Sequence, residues 1–351
     1  MVPSGKSAPE AQLSIVIPTF NSAPWLPSTL ASVVEALRVA KCTGEIVIVD
    51  DGSTDDTATM LDQFKVSSPF PTHILTQENQ GKFHTRLNGV RAASAEFVVL
   101  MDSRVLLDPG AIAYLLEHRD ADHPTQPWNG HVPTDTSAPV VGHFWTVPTY
   151  VFWGSYLGDA RPTLITAENF DRVPKGTGLL AISSRFFQDA CEANEPDANA
   201  HLKSDDTKIL RWIASRQSIR LEPGFSATYR PRTSVRQFLS HSFLRGTLFV
   251  DSYAGTSLVR NLVLVLLAVA PWIAIAAFVL LAVSGVNWLL WATLITTLLA
   301  LLAPAFVAAA RRCPAKALAA YGLFVVPFGF TFAAGLLRGV VVHRSTFKRS
   351  S

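Results

Sequence analysis

Polar side chains follow three segments of the first hundred residues, at positions where they could bind a nucleotide. The run SIVI is followed by four residues that include a hydroxyl, an aromatic ring and an amide: Pro18, Thr19, Phe20 and Asn21. The run EIVIVD is followed by Asp51, whose carboxylate can accept hydrogen bonds from a base or ribose. Gly81 and Lys82 begin a predicted helix, where a glycine and a cation suit a phosphate.

Each of these motifs also has a purely structural interpretation. Asp51 can belong to a turn with solvated acids, in which Ser53 or Thr54 caps the following helix. Lys82 and Arg86, four residues apart, can be surface charges that face outward from an ordinary helix. A binding site is therefore indicated by the motifs together and by none of them alone.

The segments that carry these residues alternate between apolar runs and helical stretches. Strands are predicted at LSIVIPTF, EIVIVDD, THILTQ and EFVVLMDS, with helices between them. This alternation is typical of βαβ units, so the predicted fold class is α/β with a mainly parallel sheet, which binds ligands at the carboxyl ends of its strands. Residues 118–171, rich in Pro, Trp, Thr and Gly, are predicted to form irregular loops and edge strands.

Charge is distributed unevenly along the 351 residues, of which 16% are charged against about 25% in a soluble domain. All 27 acids lie at or before Asp251, and the last hundred residues carry eight Lys or Arg. The first 251 residues have a net charge of −5, from 22 basic and 27 acidic residues, which argues against a nucleic-acid partner. Three scattered cysteines are too few for a disulfide framework.

Long apolar stretches in the last hundred residues predict a membrane region. Residues 261–283 and 288–310 each exceed the roughly 20 residues needed to cross a bilayer. Basic residues follow the second stretch, and their bias toward the cytoplasm places the N-terminal part there too. Residues 317–337 form a third stretch that Pro327 and Gly329 interrupt, so a third span, favoured by length, and a re-entrant hairpin both stay open.

Four motifs together resemble the nucleotide-sugar domain of the family-2 glycosyltransferases, which have the GT-A fold. They are SIVIPTFN, IVIVDDGSTDDT, NQGK with Asn88, and the acid after the fourth strand, in the family's order. The resemblance implies a nucleotide-sugar donor, with a UDP-sugar favoured by family habit. It also implies that Thr19 and Phe20 border the nucleotide, that Asp51 contacts the base or ribose, and that Lys82 lies nearby.

The metal-binding motif departs from the family pattern. The family's Asp-x-Asp, whose second acid binds a divalent cation, is replaced by Asp102-Ser103-Arg104. An arginine cannot ligate a metal, but it can neutralise a phosphate. Three interpretations stay open: Asp102 still holds Mg²⁺ or Mn²⁺, Arg104 does part of the metal's work, or Arg104 points away and pairs with Asp108.

The resemblance also implies a catalytic base. Asp205 and Asp206, at the start of a predicted helix, match the family's Glu-Asp pair, which makes Asp206 the predicted base of an inverting transfer. The alternative is a helix start capped by Ser204, with acids favoured by the helix dipole. Gly176 and Gly178 resemble the family's acceptor segment, and His241 and Arg245 stand where a polar residue and a cation would gate the diphosphate. The family's Gln-x-x-Arg-Trp motif is absent there, and the alternative is a basic face attracted to anionic lipid.

These features predict five regions along the chain. They are a disordered N-terminus at 1–12, a cytoplasmic GT-A domain at 13–230, an amphipathic interfacial helix at 231–256, a membrane domain of two to three helices at 257–342, and a basic tail at 343–351.

The predicted function is an inverting transfer of a sugar from a nucleotide-diphosphate sugar to a lipid-linked or growing saccharide, at the cytoplasmic face of the plasma membrane. Membrane lipids are predicted partners. The alternatives are a polyprenyl-phosphate sugar synthase, although its DADLQ-like sequence is missing, a processive synthase that exports its polymer, and a non-catalytic scaffold with a degenerate donor site. A transporter is disfavoured, because the apolar stretches contain no acid.

Overall fold

The computed structural model describes residues 11–119, 123–195, 205–255, 257–344 and 347, and the chain divides into two compact units. The sheet unit contains the described residues up to Asp135, those from Ala160 to 195, and Asp205–Arg230. The helical unit contains Thr136–Asp159 and the described residues from Pro231 onward. The predicted disordered N-terminus and the basic tail lie largely outside the described residues.

The sheet unit is built on nine strands in the order β3-β2-β1-β4-β8-β6-β9-β5, with β7 paired to β9. The half β3-β2-β1-β4 is parallel, and the strands beyond β4 are mixed in direction. The strands are β1 Leu13–Thr19, β2 Gly44–Asp50, β3 Thr72–Thr76, β4 Phe97–Met101, β5 Val105–Leu107, β6 Trp128–His131, β7 Thr163–Ile165, β8 Leu179–Ser183 and β9 Ile219–Tyr229.

Continuous apolar runs explain the central strands. Every residue of β1, β2 and β4 is buried, as expected for strands covered on both faces. In the sheet unit α1 packs against α4, and α3 packs against β1, β2 and α6. These helices are α1 Leu26–Ala40, α2 Thr57–Ser67, α3 Lys82–Ala92, α4 Ala111–His118, α6 Ser184–Glu192 and α7 Asp205–Ala214. The predicted α/β class is confirmed.

The helical unit contains three helices that are long and apolar enough to cross a membrane. Its helices are α5 Thr146–Leu157, α8 Val235–Tyr253, α9 Leu258–Ser284, α10 Asn287–Ala310 and α11 Ala315–Val342. The last of these runs without interruption through Pro327 and Gly329, so the re-entrant hairpin is wrong. A proline within a long helix is tolerated when neighbouring groups satisfy the freed backbone.

Two local predictions also need correction. Residues 118–171 are not only loops and edge strands, because α5 forms there and packs against α10. The helix α2 begins at Thr57, four residues after Ser53 and three after Thr54, the two predicted caps, and its N-cap position is Asp56. Ser53 is unavailable as a cap because its hydroxyl donates to Asp50 and its oxygen accepts from the main-chain N–H of Asn21.

Candidate functional site

The loop after β1 is tied to the loop after β2. Pro18 lies opposite Val49 in the sheet, and the carbonyl of Thr19 accepts the N–H of Asp51 at 2.9 Å. Asn21 has a left-handed backbone, with φ of 48°, and its side-chain oxygen accepts the N–H of Thr54 at 2.8 Å. Asparagine tolerates this conformation better than most residues. These bonds fix the edge of the sheet where a nucleotide is predicted to bind.

Phe20 projects from this edge and is 47% exposed. An exposed aromatic ring at the carboxyl end of a central strand can stack on a base. Thr19 is buried, and its hydroxyl has no hydrogen-bond partner among the described residues. A buried polar group without a partner is costly, so this hydroxyl favours a ligand at the edge.

Asp51 organises the segment NQGK. Its carboxylate accepts the Gln77 side-chain amide at 2.7 Å and the main-chain N–H groups of Gln80 at 2.8 Å and Gly81 at 2.9 Å. Asn88 in turn donates to Gln77 at 2.8 Å. Gly81 has φ of 85°, which only glycine adopts without strain. Asp51 therefore holds the start of α3, where Lys82 is exposed to solvent.

Arg86 is buried, which contradicts the prediction that it faces outward. Its guanidinium contacts Asp102 Oδ1 at 3.1 Å and Asp206 Oδ1 at 2.7 Å. The burial of Arg86 could have been predicted from the helix pattern, because Phe83, Arg86 and Val90 fall on one apolar face of α3. Arg86 thus joins an acid at the end of β4 to an acid at the start of α7, which lie far apart in the sequence.

Asp102 lies beside the glycine-containing segment before β8. Its N–H donates to the carbonyl of Gly178 at 3.2 Å, and a Cβ on this glycine would lie 3.8 Å from Asp102 Oδ2. The carbonyl of Gly176 accepts from Asn129 at 2.6 Å. Between the two glycines, the buried hydroxyl of Thr177 lacks a hydrogen-bond partner within the described part of the chain. The predicted acceptor segment therefore borders Asp102, one of the two acids that the buried arginine of α3 contacts.

Arg104 does not pair with Asp108, whose carboxylate accepts a hydrogen bond from Ser226. It lies against an aromatic side chain instead. Its guanidinium lies 4.3 Å from the centre of the Trp25 ring, and that of Arg230 lies 5.2 Å from the same ring. Burial lowers the pKa of Arg104, which Tyr229 and Asp102 counteract. Within the described ranges, its buried Nε and Nη2 atoms have no hydrogen-bond partner.

Asp206 is on the first turn of α7, and its side chain is 41% exposed. Its carboxylate is therefore anchored by Arg86 yet reachable from solvent. Ser204, the alternative cap, lies outside the described residues, as does the side chain of Asp205.

The described residues do not build a metal site by themselves. They contain no group of three His, Cys, Asp or Glu side chains that could hold an ion. Asp102, the one acid left from the family motif, already contacts Arg86. A divalent cation on a diphosphate takes only one or two protein carboxylates beside phosphate and water oxygens. The positive charge of Arg86 beside Asp102 opposes a cation at this acid, so the pair fits such an ion poorly.

His241 and Arg245 belong to the helical unit. The Nε of Arg245 donates to His241 Nε2 at 3.0 Å, and the guanidinium lies 4.4 Å from the Trp145 ring centre. Their role as a diphosphate gate stays a prediction.

A family model supports the interpretation of the sheet unit. Residues 14–150 match the model described as glycosyl transferase family 2. The poly-beta-1,6-N-acetyl-D-glucosamine synthase of Staphylococcus aureus strain COL is 30% identical over 106 residues, which cover 30% of this chain and 25% of that protein. The chain thus matches about a quarter of the length of this curated relative.

One of the similar solved structures supports the predicted GT-A fold. The mannosyltransferase PcManGT from Pyrobaculum calidifontis, in complex with GDP-Man and Mn2+, has a TM-score of 0.53 and 18% identity, covering 94% of this chain and 87% of its own. TarS 1-349 of S. aureus gives a TM-score of 0.45 at 17% identity, covering 68% of this chain and 66% of its own.

Proposed function

We propose that the chain is a membrane-associated family-2 glycosyltransferase, which transfers a sugar from a nucleotide-diphosphate sugar to a lipid-linked or growing saccharide at the cytoplasmic membrane face. One observation carries this proposal. Buried Arg86 brings Asp102, at the predicted donor edge, together with Asp206, the predicted base.

The donor is proposed to lie across the carboxyl edge of β1, β2 and β4. Phe20 stacks on the base, the unpartnered hydroxyl of Thr19 gains a partner, and Asp51 holds the adjoining loop in place. Lys82 at the start of α3 faces the phosphates, because a helix start and a cation both favour negative charge.

The reaction is proposed to be a single displacement. Asp206 accepts the proton of the acceptor hydroxyl as its oxygen attacks the anomeric carbon. The bond from this carbon to the diphosphate breaks, the nucleoside diphosphate leaves with the electron pair, and the anomeric configuration inverts. Arg86 acts as a positioning residue that orients the Asp206 carboxylate.

Charge on the leaving diphosphate is proposed to be balanced by Lys82 and Arg104. The N–H groups of Arg104 that have no partner in the described part of the chain donate hydrogen bonds to the phosphate oxygens. Few other cations are then needed to balance the charge of the diphosphate. Since the described acids fit a metal poorly, we expect activity to depend weakly on Mg²⁺ or Mn²⁺.

The helical unit supports a lipid-linked acceptor. An acceptor whose lipid stays in the bilayer presents its sugar at the membrane surface, and the three apolar helices keep the enzyme at that surface.

The test is an assay of the purified full chain in detergent with a panel of nucleotide sugars. Acceptors are polyprenyl phosphate and polyprenyl-diphosphate saccharides, each with EDTA or Mn²⁺. Asp206→Asn is compared with Asp189→Asn, an exposed acid paired with Arg185 on α6. Transfer to the saccharide acceptor that Asp206→Asn alone abolishes supports the proposal. Transfer to polyprenyl phosphate alone would favour the synthase alternative, and no turnover of any donor would favour the scaffold.

A further inference from the structure

A cleft of about 530 Å³ lies on the first turns of α8, within the helical unit. Its walls combine cations, hydroxyls and one apolar side chain: Arg232, Ser234, Arg236, Gln237, Ser240, His241 and Leu244. A cleft with this lining suits a group with several negatively charged oxygens, because guanidinium and hydroxyl groups both donate to such oxygens.

The segment that lines this cleft carries charge of one sign. Residues 231–250 contain Arg232, Arg236, Arg245 and His241 but neither Asp nor Glu. The next acid, Asp251, is buried and contacts His343 at 3.7 Å. The segment therefore attracts an anion without competition from an acid of its own.

The histidine contributes a donor to the cleft in its neutral form. Its Nε2 atom accepts the hydrogen bond from Arg245, so a neutral ring carries its proton on Nδ1. Arg245 itself stacks on Trp145, which orients the imidazole. The arrangement supports anion binding without requiring protonation of the ring.

The polarity of α8 changes along its length. The basic cleft occupies the first turns, whereas Leu244, which is 36% exposed, and the half-buried Leu248, one turn further on the same helix face, are apolar. This order matches a ligand with a charged head and an apolar tail.

The other face of α8 packs along α11. Phe238 lies 5.8 Å from Phe324 between ring centres, and further on Gly246 lies against Gly335 so closely that a Cβ on Gly335 would lie 2.0 Å from the carbonyl of Phe243. Because α11 is a candidate span, a lipid beside it can reach the cleft with its head group.

We propose that the α8 cleft binds the phosphate group of a membrane lipid. Arg232 and Arg236 contact the phosphate oxygens, Ser234, Ser240 and His241 donate the remaining hydrogen bonds, and the acyl or prenyl chain lies along Leu244 and Leu248. The inference rests on the membrane association of the chain and not on the proposed sugar transfer.

The experiment measures the unfolding midpoint of the purified full chain in a neutral detergent. The eight tryptophans report unfolding by fluorescence. Dioctanoyl phosphatidic acid is titrated, with dioctanoyl glycerol and inorganic phosphate as separate probes of tail and head group. A ligand that binds the folded state raises the midpoint in a saturable manner. We expect this rise with phosphatidic acid alone at concentrations where both other probes have no effect.

Two variants test the site. Arg236→Gln alone and Arg232→Gln with Arg236→Gln should weaken the apparent affinity at least about tenfold, since each removes a charged hydrogen bond. The control with Arg260→Gln and Arg344→Gln removes two exposed charges of the same unit outside the cleft and should change affinity less than about twofold.

Three outcomes would overturn the proposal. Equal shifts with dioctanoyl glycerol would show that the tail alone binds. An equal effect of inorganic phosphate would assign the cleft to a free anion. Equal weakening in the cleft and control variants would reduce the effect to general charge attraction. Sugar transfer is measured separately, so its absence leaves the lipid result unaffected.

Discussion

Two arginine clusters adjoin the turn after β4, and they differ in what balances their charge. In the acid cluster, one buried guanidinium, Arg86, contacts two carboxylates, Asp102 and Asp206. In the aromatic cluster, Arg104 and Arg230 share a single indole ring, and neither forms an ion pair in the described part of the chain. The first has an excess of negative charge and the second an excess of positive charge.

The difference separates two chemical tasks. A carboxylate that an arginine orients suits the transfer of a proton from an acceptor hydroxyl, whereas paired guanidiniums favour a phosphate. Asp102 and Arg104 are two residues apart, so one short turn orients groups for both tasks. Arg104 stands where the family motif has its second acid, so the protein itself supplies a positive charge at this turn.

The largest expected effect follows from removing the centre of the acid cluster. Arg86→Met leaves Asp102 and Asp206 without their shared cation, so it should lower the unfolding free energy by about 2–3 kcal/mol, allowing for the partial exposure of both acids. Transfer should fall at least about 10²-fold because the base loses its orientation. Thermal unfolding and turnover measure these losses.

Arg86→Lys serves as the comparison for this variant. A lysine keeps the charge but cannot reach two acids as a planar fork, so stability should recover more than activity. Equal recovery of both would show that Arg86 acts only through charge.

Removing the base should leave the structure intact. Asp206→Asn is expected to lower kcat roughly 10²-fold or more with little change in the donor KM, because it affects proton transfer and not donor binding. Asp189→Asn is the matched control. Near-normal turnover by Asp206→Asn would assign the base to another residue.

The aromatic cluster is tested by restoring the family's acid. Arg104→Asp should make activity depend on Mn²⁺, whereas the native chain should retain most activity in EDTA. Arg104→Ala should raise the donor KM about tenfold, since one charged contact to the phosphates is lost. Arg185→Ala, an exposed arginine on α6, is the control. Unchanged KM and metal demand in both variants would leave Arg104 with a packing role.

The smallest effect concerns Lys175, a cation outside both clusters. Burial lowers the pKa of Lys175 to about 8, while Asp171 opposes this shift. Below pH 8 the lysine is charged in both states, and between about 8 and its ordinary value the unfolded chain binds more protons. Stability should therefore gain a positive slope with pH in this window.

Lys175→Met should remove that slope. The midpoint of unfolding is measured from pH 7 to about 10 in detergent. The variant also loses the hydrogen bond to the carbonyl of Val173, at 3.0 Å, so its slope and not its absolute midpoint is the test. An unchanged slope would place the titration elsewhere.

Local patterns predicted the parallel half of the sheet well. The runs that became β1, β2 and β4 are largely apolar and buried at every position, and their ends carry the polar residues that were expected there. The antiparallel insertion of β8 beside β4 has no such signal, because periodicity encodes burial and not strand order.

Arg86 and α5 show two further limits of local patterns. Arg86 was placed outward by its spacing from Lys82, although its acid partners are 16 and 120 residues away. The sequence of α5 contains Pro148 and lacks a clear apolar face. Its carbonyls at Tyr150 and Val151 accept from Arg311, at the end of α10, so tertiary contacts stabilise it.

The two contacts of Arg86 close chain segments of different lengths, and this difference predicts the order in which they form. Its contact with Asp102 closes after 16 residues, within the parallel half-sheet, but its contact with Asp206 spans 120 residues. Short loops close at lower entropic cost, so folding begins with the half that holds the predicted donor edge. During synthesis, that half emerges first from the ribosome, and the predicted base joins it only after more than a hundred further residues.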